Sequence, residues 1–481
     1  RDNGDIDFLG RLDHQVKLSG YRIELGEIES LLNIFEGIKS SVVIATESDS
    51  DQPQSLIAYV VADKSSPSLD NSHWQSIWDE AYDNGNSTAN ASANLVVDVD
   101  DANIKAGAVN GEPVSDPTFN ISGWIDSYTG EQHLQAPMQE WVDTTVNRIM
   151  ALKPKRVLEI GCGTGLLLYR IAPQCERYVA VDFSAAALGL INQQVNALGL
   201  DHVSLINSAA DDLSLVDSLI NGHEHFDVVI INSVIQYFPS ADYLVNVIAS
   251  AVKRLTPAGQ LFIGDIRHLA LKNLFDTSIE FAKAPADLSV ELLQKRINTH
   301  REKESELLVA PEFFMHVKQV IPAIKNIDIQ LKRGHYRTEM SAYRYDAILS
   351  MGNANDISTI NDGDFVLQSN PNNLLELKAM INDVSEPIVF RDLVNARLLR
   401  DQLIQNTLMS EKPAHTVDGV KQLVDQGQQC AKGFQYANSF QPEDVYQLVE
   451  DIYPSVTDIN ITLTWAKSGD PVCFDVYLSP K

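Results

Sequence analysis

A glycine-rich turn between a strand and a helix is the stretch of this chain that points most clearly to chemistry. The run "VLEIGCGTG" ends an apolar strand at Ile160 and then places Gly161, Gly163 and Gly165 in the turn. Glycine lets the backbone approach a ligand closely, and a helix N-terminus offers unsatisfied N–H groups, so the pattern predicts a ligand-binding loop. Glu159, just before the turn, is a poor neighbour for a pyrophosphate and favours a cationic ligand.

Two phosphate-binding patterns do not fit this turn. The dinucleotide pattern G-x-G-x-x-G requires glycine at position 166, where this chain has Leu166. The P-loop pattern requires Gly-Lys followed by Ser or Thr, and no such tripeptide follows. We therefore expect a ligand that brings no phosphate to this loop.

Carboxylates follow the next two apolar strands. Asp182 lies 21 residues after Gly161, and a carboxylate at that position can accept both hydroxyl groups of a ribose. In "SAADDLS", either Asp211 or Asp212 can accept a hydrogen bond from the amino group of an adenine. A sulfonium nucleoside fits this set, because it combines positive charge, ribose and adenine without a phosphate.

Alternating strands and helices position these residues. The runs "RVLEI", "YVAVD", "VSLIN", "FDVVIIN" and "QLFIGDI" are continuously apolar, as strands buried on both faces require, and helical patterns lie between them. The chain is therefore predicted to be an α/β protein with a doubly wound sheet. The runs "IDIQLKRG" and "YRYDAILSM" lie too close together for a crossover helix, so we expect them to pair antiparallel at one edge.

These stretches resemble a known family. "VLEIGCGTG", "VDFS" and "SAADDLS" are similar to the S-adenosylmethionine site of class I methyltransferases. "GWIDSYTGE", "NSVIQYFPSADYL", "GDIRHLAL" and "EMSAYRYDAIL" resemble the methyltransferase domains embedded in nonribosomal peptide synthetases, over roughly residues 119–351. The resemblance implies S-adenosylmethionine as the cofactor. The cofactor-binding residues predicted in this way are Glu159, Gly161, Gly163, Gly165, Asp182, Phe183, Ser184, Ala210, Asp211, Asn232, Gln236 and Tyr128.

Polar residues after the fourth and fifth strands are the candidates for methyl transfer itself. Displacement at a sulfonium needs a neutral nucleophile, and an α-amino group, with a reference pKa near ~8, is partly neutral at pH 7. Alignment and a proton acceptor therefore suffice. We expect Glu339 and Tyr237 to orient the amine. The predicted catalytic residues are Glu339, Tyr237, Asp265, Arg267 and Tyr343, with Tyr345 nearby.

Several other residues keep alternatives open. Tyr128 and Trp141 either cover the cofactor, since aromatic faces suit a sulfonium cation, or belong to the core. Carbon methylation needs a stronger base, typically a histidine, and His268 and His335 keep that reaction open. The histidines lack metal-ligand spacing, so no metal is predicted. The charged run "THREKESE", residues 299–306, is predicted to be a solvated helix face.

The head of the chain carries a second resemblance. Short strands and one helix over residues 5–62 predict a small α+β unit, and "GRLDHQVKLSGYRIELGEIE" resembles the C-terminal subdomain of adenylation domains from nonribosomal peptide synthetases. The resemblance implies that Asp13 is the hinge aspartate and that Gly20 and Tyr21 enter the active site for thioester formation. At residues 17–20 this chain has Lys-Leu-Ser-Gly where the family usually has Lys-Ile-Arg-Gly.

The two resemblances imply an adenylation subdomain interrupted by a methyltransferase. We expect a piece of a longer polypeptide without adenylation activity, because neither the large nucleotide-binding subdomain nor a "PNGKVDR"-like segment is found. The implied reaction is N-methylation of an aminoacyl thioester, with a phosphopantetheinyl carrier domain and the rest of the adenylation domain as partners. The predicted domains are the adenylation fragment (1–62), a linker containing the low-complexity "GNSTANASAN" (63–118), the methyltransferase core (119–351) and an accessory region (352–481).

Composition narrows the remaining classes of protein. The 481 residues carry a net charge of -28, which argues against nucleic acid and anionic membranes as partners. The four cysteines are too few for a disulfide framework, so a cytoplasmic setting is expected. No apolar run approaches the ~20 residues of a membrane span. Methylation of oxygen or carbon, and a non-catalytic scaffold, stay open as alternatives.

Overall fold

The structure is a computed structural model, and the chain divides into two compact units, Arg1–His73 and Trp74–Lys481. Among its described residues, no helix is both long and apolar enough to cross a bilayer. The domain boundaries predicted after residues 62, 118 and 351 stay predictions. The described residues are 15–18, 21–32, 38–45, 56–62, 93–96, 105–108, 116–220, 225–352, 363, 365–410, 414–425, 438–454 and 459–480.

The first unit contains the strands and the helix predicted for the head of the chain. Strands β1 (Gln15–Leu18) and β2 (Tyr21–Glu24) pair antiparallel, and helix α1 (Leu25–Leu32) follows directly. Strands β3 (Ile38–Ala45) and β4 (Leu56–Ala62) form a second antiparallel pair. The Glu29 carboxylate on α1 accepts a hydrogen bond of 2.8 Å from the backbone N–H of Val43, which fixes the helix against β3. Asp13, Gly20 and the predicted strand "FLGRL" lie outside the described residues.

The predicted linker contains a short hairpin. Strands β5 (Ala93–Val96) and β6 (Lys105–Ala108) pair antiparallel. The last two residues of "GNSTANASAN" therefore begin a strand, because they lead into the apolar, β-branched run "LVV", and the expectation of disorder is wrong for those two residues. The rest of that segment and the helix predicted at "HWQSIWDEAYDN" lie outside the described residues.

A seven-stranded sheet forms the centre of the second unit, in the order β12-β13-β11-β10-β7-β8-β9. Strands β7 to β11 run parallel to one another in the sheet, which confirms the predicted doubly wound α/β fold. Strand β13 is antiparallel to both β11 and β12, so the antiparallel strand lies one place in from the edge. The strands are β7 (Arg156–Ile160), β8 (Arg177–Asp182), β9 (Val203–Asn207), β10 (Phe226–Asn232), β11 (Leu255–Arg267), β12 (Asn326–Leu331) and β13 (Arg344–Ser350).

Helices cover both faces of this sheet, and several begin at a serine that caps the first turn. The Ser184 hydroxyl accepts from the N–H of Ala187 at the start of α4, and Ser240 does the same for Tyr243 at the start of α6. The helices are α2 (Gln135–Ala151), α3 (Leu168–Ile171), α4 (Ala185–Ala197), α5 (Ser214–Leu219), α6 (Ala241–Val252), α7 (Lys272–Lys283), α8 (Val290–Glu302), α9 (Phe313–Val320) and α10 (Glu339–Ala342).

The C-terminal region builds a second sheet that shares its apolar core with the first. Phe390 and Phe474 of this region belong to the same continuous core as Ile231 and Leu261 of the main sheet. Its last helix has proline at the first turn, and its last two strands pair as an antiparallel hairpin. The elements are β14 (Val366–Leu367), α11 (Leu374–Met380), β15 (Ile388–Asn395), α12 (Ala396–Leu408), α13 (Val417–Asp425), β16 (Ser439–Phe440), α14 (Pro442–Ile452), β17 (Ile459–Trp465) and β18 (Cys473–Pro480).

Two residues at the carboxyl edge of the main sheet have unusual backbone angles. Ser233, directly after β10, has φ 57°, and Asp265, inside β11, has φ 64°. The register between β11 and β13 shifts between Ile263 and Ile266, so Asp265 lies in a bulge. Left-handed backbone at non-glycine residues costs about 1–3 kcal/mol and is concentrated at functional sites, which directs attention to this edge.

Candidate active site

The glycine loop is held in a conformation that only glycine adopts easily. Gly161, Gly163 and Gly165 have φ values of 78°, 51° and 82°. A Cβ atom added at Gly161 would lie 2.4 Å from Cγ2 of Val234, so a side chain there would meet both strain and a collision. The N–H of Gly161 donates to the carbonyl of Val181 at 2.7 Å, which anchors the loop to the end of β8.

Asp182 fastens the same loop through its side chain. Its Oδ2 accepts from the N–H of Gly163 at 2.8 Å, and its Oδ1 accepts from the N–H of Ser184 at 2.9 Å. Only 6% of Asp182 is exposed. The carboxylate therefore sits at the end of β8 in a fixed orientation, with further lone pairs that can accept hydroxyl groups of a ligand.

Glu159 occupies a different environment from the one expected at the sequence level. It is buried within β7 and accepts a hydrogen bond of 2.8 Å from the Tyr178 hydroxyl. Burial raises the pKa of Glu159 to about 8. The hydrogen bond from Tyr178 lowers this pKa, but burial has the larger effect. Glu159 is therefore mostly protonated at pH 7, and a neutral carboxyl does not attract a cation by charge. Its predicted role beside a cationic ligand stays a prediction.

The remaining residues predicted on the nucleoside side surround the ends of β8 and β9. Ser184 is fully buried as the N-cap of α4, and Phe183 beside it is half-buried. Ala210 packs against the core, whereas Asp211 is exposed and accepts from the Tyr243 hydroxyl at 2.8 Å. Asp212, the alternative to Asp211, accepts from the N–H of Ser214 instead.

Two buried amide oxygens at the end of β10 have no hydrogen-bond partner among the described residues. They are Oδ1 of Asn232 and Oε1 of Gln236. The amide nitrogen of Gln236 donates to the carbonyl of Ser233 at 3.1 Å, so its oxygen points away from that contact. A buried unpaired acceptor is costly, typically about 1–3 kcal/mol, and a ligand that donates N–H or O–H groups would remove the cost.

Asp265 is the centre of a buried charge network. It is fully buried, and its Oδ2 accepts from the Ser233 hydroxyl at 2.7 Å and from Nη1 of Arg344 at 2.7 Å. Its Oδ1 accepts from the indole N–H of Trp141 at 3.1 Å and lies 3.8 Å from Nζ of Lys332. Trp141 is thus part of the buried network, and its ring also packs in a core cluster with Met138 and Val142.

Arg344 connects this network to Glu339, the residue predicted to orient the amine. Nη2 of Arg344 lies 3.6 Å from Oε1 of Glu339, and Oε2 of Glu339 accepts from the N–H of Ser127 at 2.9 Å. Glu339 is 5% exposed. The buried His133 is close enough to be influenced by Glu339, but desolvation dominates and lowers the pKa of its imidazole. The structure therefore brings Asp265 and Glu339 together through one guanidinium.

Tyr237 lies at the same edge of the sheet. It ends a 3-10 turn after β10 and is half-buried. Burial raises the pKa of its hydroxyl well above the usual range, and the charge of Glu306 adds to this effect while Arg344 opposes it. Tyr237 is accordingly a neutral hydroxyl beside the charge network, able to hydrogen-bond an acceptor substrate but not to remove its proton as a tyrosinate.

Arg267 is engaged by two carboxylates. It binds Oε2 of Glu304 at 2.8 Å and Oε2 of Glu306 at 2.6 Å. The prediction that residues 299–306 form a solvated helix face is wrong for its last residues: α8 ends at Glu302, and the following turn directs Glu304 and Glu306 onto the arginine. Arg267 therefore stabilises this turn, and its predicted catalytic role stays a prediction.

Tyr343 and Tyr128 meet at a second cavity. The Tyr343 hydroxyl donates to Oδ2 of Asp401 at 2.5 Å, and the Tyr128 hydroxyl lies 2.9 Å from Oγ of Ser278. Both tyrosines line this cavity with Ser278 and Asp401. Tyr345 is fully buried and donates to the carbonyl of Val309. The catalytic role predicted for Tyr343 and the cofactor contact predicted for Tyr128 both stay predictions.

The two histidines considered as strong bases are not arranged for that task. His268 is buried, its Nδ1 accepts from the N–H of Ala270, and burial lowers the pKa of its imidazole to about 4. His335 is 64% exposed, with Nδ1 3.5 Å from Oε1 of Glu140. Within the described residues, no group of three or more histidine, cysteine, aspartate or glutamate side chains is arranged to hold a metal ion.

Several members of the charge network were not predicted from sequence. They carry a weak local signal, because Arg344 and Asp346 lie inside the quoted run "YRYD" and Ser233 directly follows Asn232. Lys332 donates to Oδ1 of Asp346 at 3.0 Å, and it too lies inside a quoted run, "IDIQLKRG". Burial of the lysine, at 2% exposure, is visible only in the folded chain.

Comparison with known proteins identifies the central part of the second unit. A family model described as "Methyltransferase domain" matches residues 158–261, which span the glycine loop, Asp182, Asn232 and most of β11. The chain carries a methyltransferase domain. Class I enzymes of this kind take their methyl group from S-adenosylmethionine, as predicted from the sequence.

Relatives place this methyltransferase domain within nonribosomal peptide synthetases, which confirms the resemblance seen in the sequence. The chain is 38% identical over 362 residues to chondramide synthase cmdD of Chondromyces crocatus, covering 73% of this chain and 8% of that protein. It is 28% identical over 370 residues to enniatin synthase of Fusarium equiseti, covering 74% of this chain and 11% of that protein. The chain therefore spans only about a tenth of the length of these relatives.

A solved structure was also found. N-methyltransferase NodS from Bradyrhizobium japonicum is 19% identical, with a TM-score of 0.31, and the match covers 45% of this chain and 97% of NodS.

The residues at the carboxyl edge fit the cofactor of this methyltransferase domain. The Asp182 carboxylate is fixed at the position where a ribose is bound in such folds. The glycine loop leaves no room for a side chain at Gly161 or Gly165, so the backbone itself can line the ligand there. The glycine-lined loop and the fixed carboxylate therefore fit a nucleoside cofactor.

Proposed function

We propose that this methyltransferase domain N-methylates the α-amino group of an aminoacyl thioester that is held on a carrier protein. The observation that carries the proposal is the pair of buried, unpartnered amide oxygens, Oδ1 of Asn232 and Oε1 of Gln236. Among the described residues these atoms lack donors, and they lie at the edge where β10 meets the glycine loop. An amine brings N–H donors, so its binding would satisfy acceptors that are otherwise costly to bury.

On the cofactor side, the chain contributes shape and fixed acceptors. S-adenosylmethionine, when bound, supplies an electrophilic methyl group on a sulfonium. Gly161 and Gly163 keep the loop free of side chains, and Asp182 offers its carboxylate to the ribose. These contacts bind and orient the cofactor. The methyl group is already reactive on the sulfonium, so the chain needs no acid or base to activate it.

On the acceptor side, alignment matters more than a strong base. A neutral amine already holds the lone pair that attacks, and the proton is lost after the new bond has made the nitrogen cationic. Glu339 is an anionic group near this position, held by Arg344 and by the Ser127 N–H. We assign Glu339 and the Tyr237 hydroxyl to orienting the amine, and Asp265 to positioning Arg344.

Methylation of carbon fits the site less well. It needs a base strong enough to form a carbanion, and His268 is capped against Ala270 and has its pKa lowered to about 4 by burial. Methylation of a side-chain hydroxyl would likewise need a base within reach of that hydroxyl. The amine is the acceptor that requires least from the groups present.

The wider context of the reaction is part of the proposal. Relatives such as chondramide synthase are far longer than this chain, so a carrier domain and the rest of an adenylation domain are proposed partners. A tethered substrate would reach the site at high effective concentration, so tight binding of a free amino acid is not expected. The cytoplasmic setting remains a prediction.

The direct test is to locate the transferred methyl group. The protein is incubated with carrier-bound aminoacyl thioester and cofactor carrying a deuterated methyl group, and the product is fragmented by tandem mass spectrometry. Label on the α-nitrogen supports the proposal. Label on a side chain or on the α-carbon contradicts it, as does the absence of transfer from cofactor that calorimetry shows to be bound.

A variant of Glu339 sharpens this test. Glu339→Ala is expected to slow transfer by about 10-fold or more, because the amine loses an orienting carboxylate, while the cofactor Kd changes by less than about twofold. Glu140→Ala is the matched control, since its carboxylate accepts from the N–H groups of His335 and Tyr336 at an exposed turn. Equal rates in the Glu339 variant and in the wild type would remove Glu339 from the site.

A further inference from the structure

The cavity that Tyr128 and Tyr343 line reaches Thr338, the neighbour of Glu339. Its volume is about 440 Å³, within the roughly 300–1,000 Å³ that small-molecule sites occupy. Its walls come from α7, from the turn that contains α10, and from α12 and α13 of the C-terminal region. The accessory region thus completes a cavity that the main sheet and its helices leave open.

The inner end of the cavity is a built polar site. Asp401 is 4% exposed, and its Oδ2 accepts from the Tyr343 hydroxyl and from Nη2 of Arg337, each at 2.5 Å. Both of these bonds end on Oδ2, which leaves Oδ1 as an acceptor for an occupant. Ser278 donates to the carbonyl of Phe275 and accepts from the Tyr128 hydroxyl. These two hydrogen bonds fix the side chains of Ser278 and Tyr128 at this end of the cavity.

The outer end is basic, in a chain whose net charge is -28. Arg337, Arg400 and Lys421 line this end of the cavity. Asp418 also lines it, and Nη2 of Arg400 lies 3.9 Å from Oδ1 of Asp425. Arg337 is paired with Asp401, which leaves Arg400 and Lys421 against Asp418 among the exposed lining residues. This balance favours an anionic group at the rim, while Asp401 below favours N–H or O–H donors.

We propose that this cavity binds the phosphopantetheine arm of the carrier, a deduction that rests on the proposed function. The arm is an extended chain with two amide groups and a hydroxyl, and it ends in a phosphodiester. Its amide N–H groups and its hydroxyl suit the Asp401 carboxylate, and its phosphodiester suits the basic rim. Apolar walls that include Phe281 and Ile404 suit its methyl and methylene groups.

The cavity is also connected to the candidate acceptor site through one loop. Tyr128 lines the cavity, and the N–H of Ser127 beside it is bound by Glu339. Thr338, which caps α10, lines the cavity too, and Glu339 is the next residue. An arm seated here would therefore bring its thioester end toward the carboxylate that we assign to the amine.

The test compares two substrates that differ in the arm. One is the carrier-bound aminoacyl thioester, and the other is the same aminoacyl group on N-acetylcysteamine, which lacks the phosphodiester and most of the chain. The variant Arg400→Gln/Lys421→Gln removes two rim cations, both on exposed or half-exposed side chains. The matched control is Lys155→Gln/Lys295→Gln, which removes two exposed cations elsewhere.

The rim variant is expected to raise KM for the carrier-bound substrate by about 5- to 20-fold, because charge-assisted contacts to the phosphodiester are lost. Its KM for the N-acetylcysteamine substrate should stay within about twofold of the wild-type value. The control should change neither constant. Equal effects on both substrates, or none on either, would overturn the assignment of the cavity. Asp401→Asn gives a second readout, because it keeps the side-chain shape and should raise the same KM without changing the cofactor Kd.

The experiment separates the two proposals. If the wild-type protein methylates the α-amine of both substrates and the variants fail to distinguish them, the cavity assignment alone is wrong. If the wild-type protein transfers no methyl group to the amine of either substrate, the proposed function is wrong.

Discussion

The glycine loop and the second cavity are built in opposite ways. The loop is made by backbone: three glycines within five residues, followed by a carboxylate at the end of the next strand. The cavity is made by side chains from distant segments, with Tyr128, Ser278, Tyr343 and Asp401 meeting only in the folded chain. The difference suggests that cofactor binding is encoded locally, whereas recognition of the acceptor depends on how the C-terminal region packs.

The largest predicted effect concerns the charge network between these two regions. Asp265→Asn keeps a residue that tolerates φ 64°, but it leaves Arg344 and Lys332 buried without their shared counter-charge. We expect the free energy of unfolding to fall by about 3–5 kcal/mol. Urea denaturation measures this loss.

The control for that prediction is Asp227→Asn. Asp227 pairs with Arg156 at 3.3 Å, and both side chains are about one-third exposed, so its loss should cost at most about 1 kcal/mol. If the Asp265 variant lost no more stability than this control, the network would not connect the two regions energetically.

The next prediction concerns the glycine loop alone. In Gly161→Ala the added methyl group would meet Val234 at 2.4 Å in a left-handed backbone, so the loop must move. Cofactor affinity measured by calorimetry is expected to fall by about 100-fold, or about 2.7 kcal/mol. Gly199→Ala is the matched control, because Gly199 has φ 65° but nothing within 4 Å. Equal cofactor affinities in the two variants would contradict the role assigned to the close approach at Gly161.

A smaller effect is expected in the pH dependence of stability. The folded-state pKa of Glu159 is raised to about 8 by burial, above its ordinary value of 4.5, so the folded protein holds this proton more tightly than the unfolded chain. Glu159 therefore makes its full contribution to the free energy of unfolding below about pH 4.5, and this contribution is lost as the pH rises toward 8. Over that window we expect a loss of roughly 1–3 kcal/mol from this group.

Glu159→Gln should flatten that dependence, because the amide does not titrate and can still accept from Tyr178. Glu176→Gln, at a side chain that is 68% exposed, should leave the pH profile unchanged. Thermal unfolding measured from pH 5 to 8 compares the three proteins, and a profile of Glu159→Gln that matches the wild type would contradict the assignment.

The smallest effect is expected at His268. His268→Asn keeps an acceptor for the N–H of Ala270, so the turn after β11 should persist. The transfer rate should stay within about threefold of the wild type, whereas removal of a general base typically costs about 10²–10⁴-fold. A loss in the larger range, measured with the same thioester substrate, would revive carbon methylation.

Much of the fold could be predicted from sequence because its signals are local. The strands of the main sheet are continuous apolar runs, and α4 and α6 begin at serine caps. The glycine loop and Asp182 follow from spacing alone. These elements are set by neighbours in the chain, which is why the amino-acid pattern is enough to predict the doubly wound fold.

The acceptor side could not be predicted in the same way. Arg267 ends β11, but its partners Glu304 and Glu306 lie in a run that was predicted to be solvated. Asp401 reaches Tyr343 across 58 residues, and Lys332 is buried by tertiary packing. Long-range pairing of charges leaves no periodic pattern in the sequence, so these contacts appear only once the chain has folded.

The division between the two regions is tested most directly by measuring the cofactor Kd and the KM for carrier-bound aminoacyl thioester in Asp182→Ala and Asp401→Asn. We predict that Asp182→Ala raises the cofactor Kd by about 10-fold or more and changes KM by less than about threefold, because two anchoring bonds of the loop are lost. Asp401→Asn should do the reverse. Two variants that alter the same constant, or an Asp182 variant that binds cofactor as well as the wild type, would contradict this account.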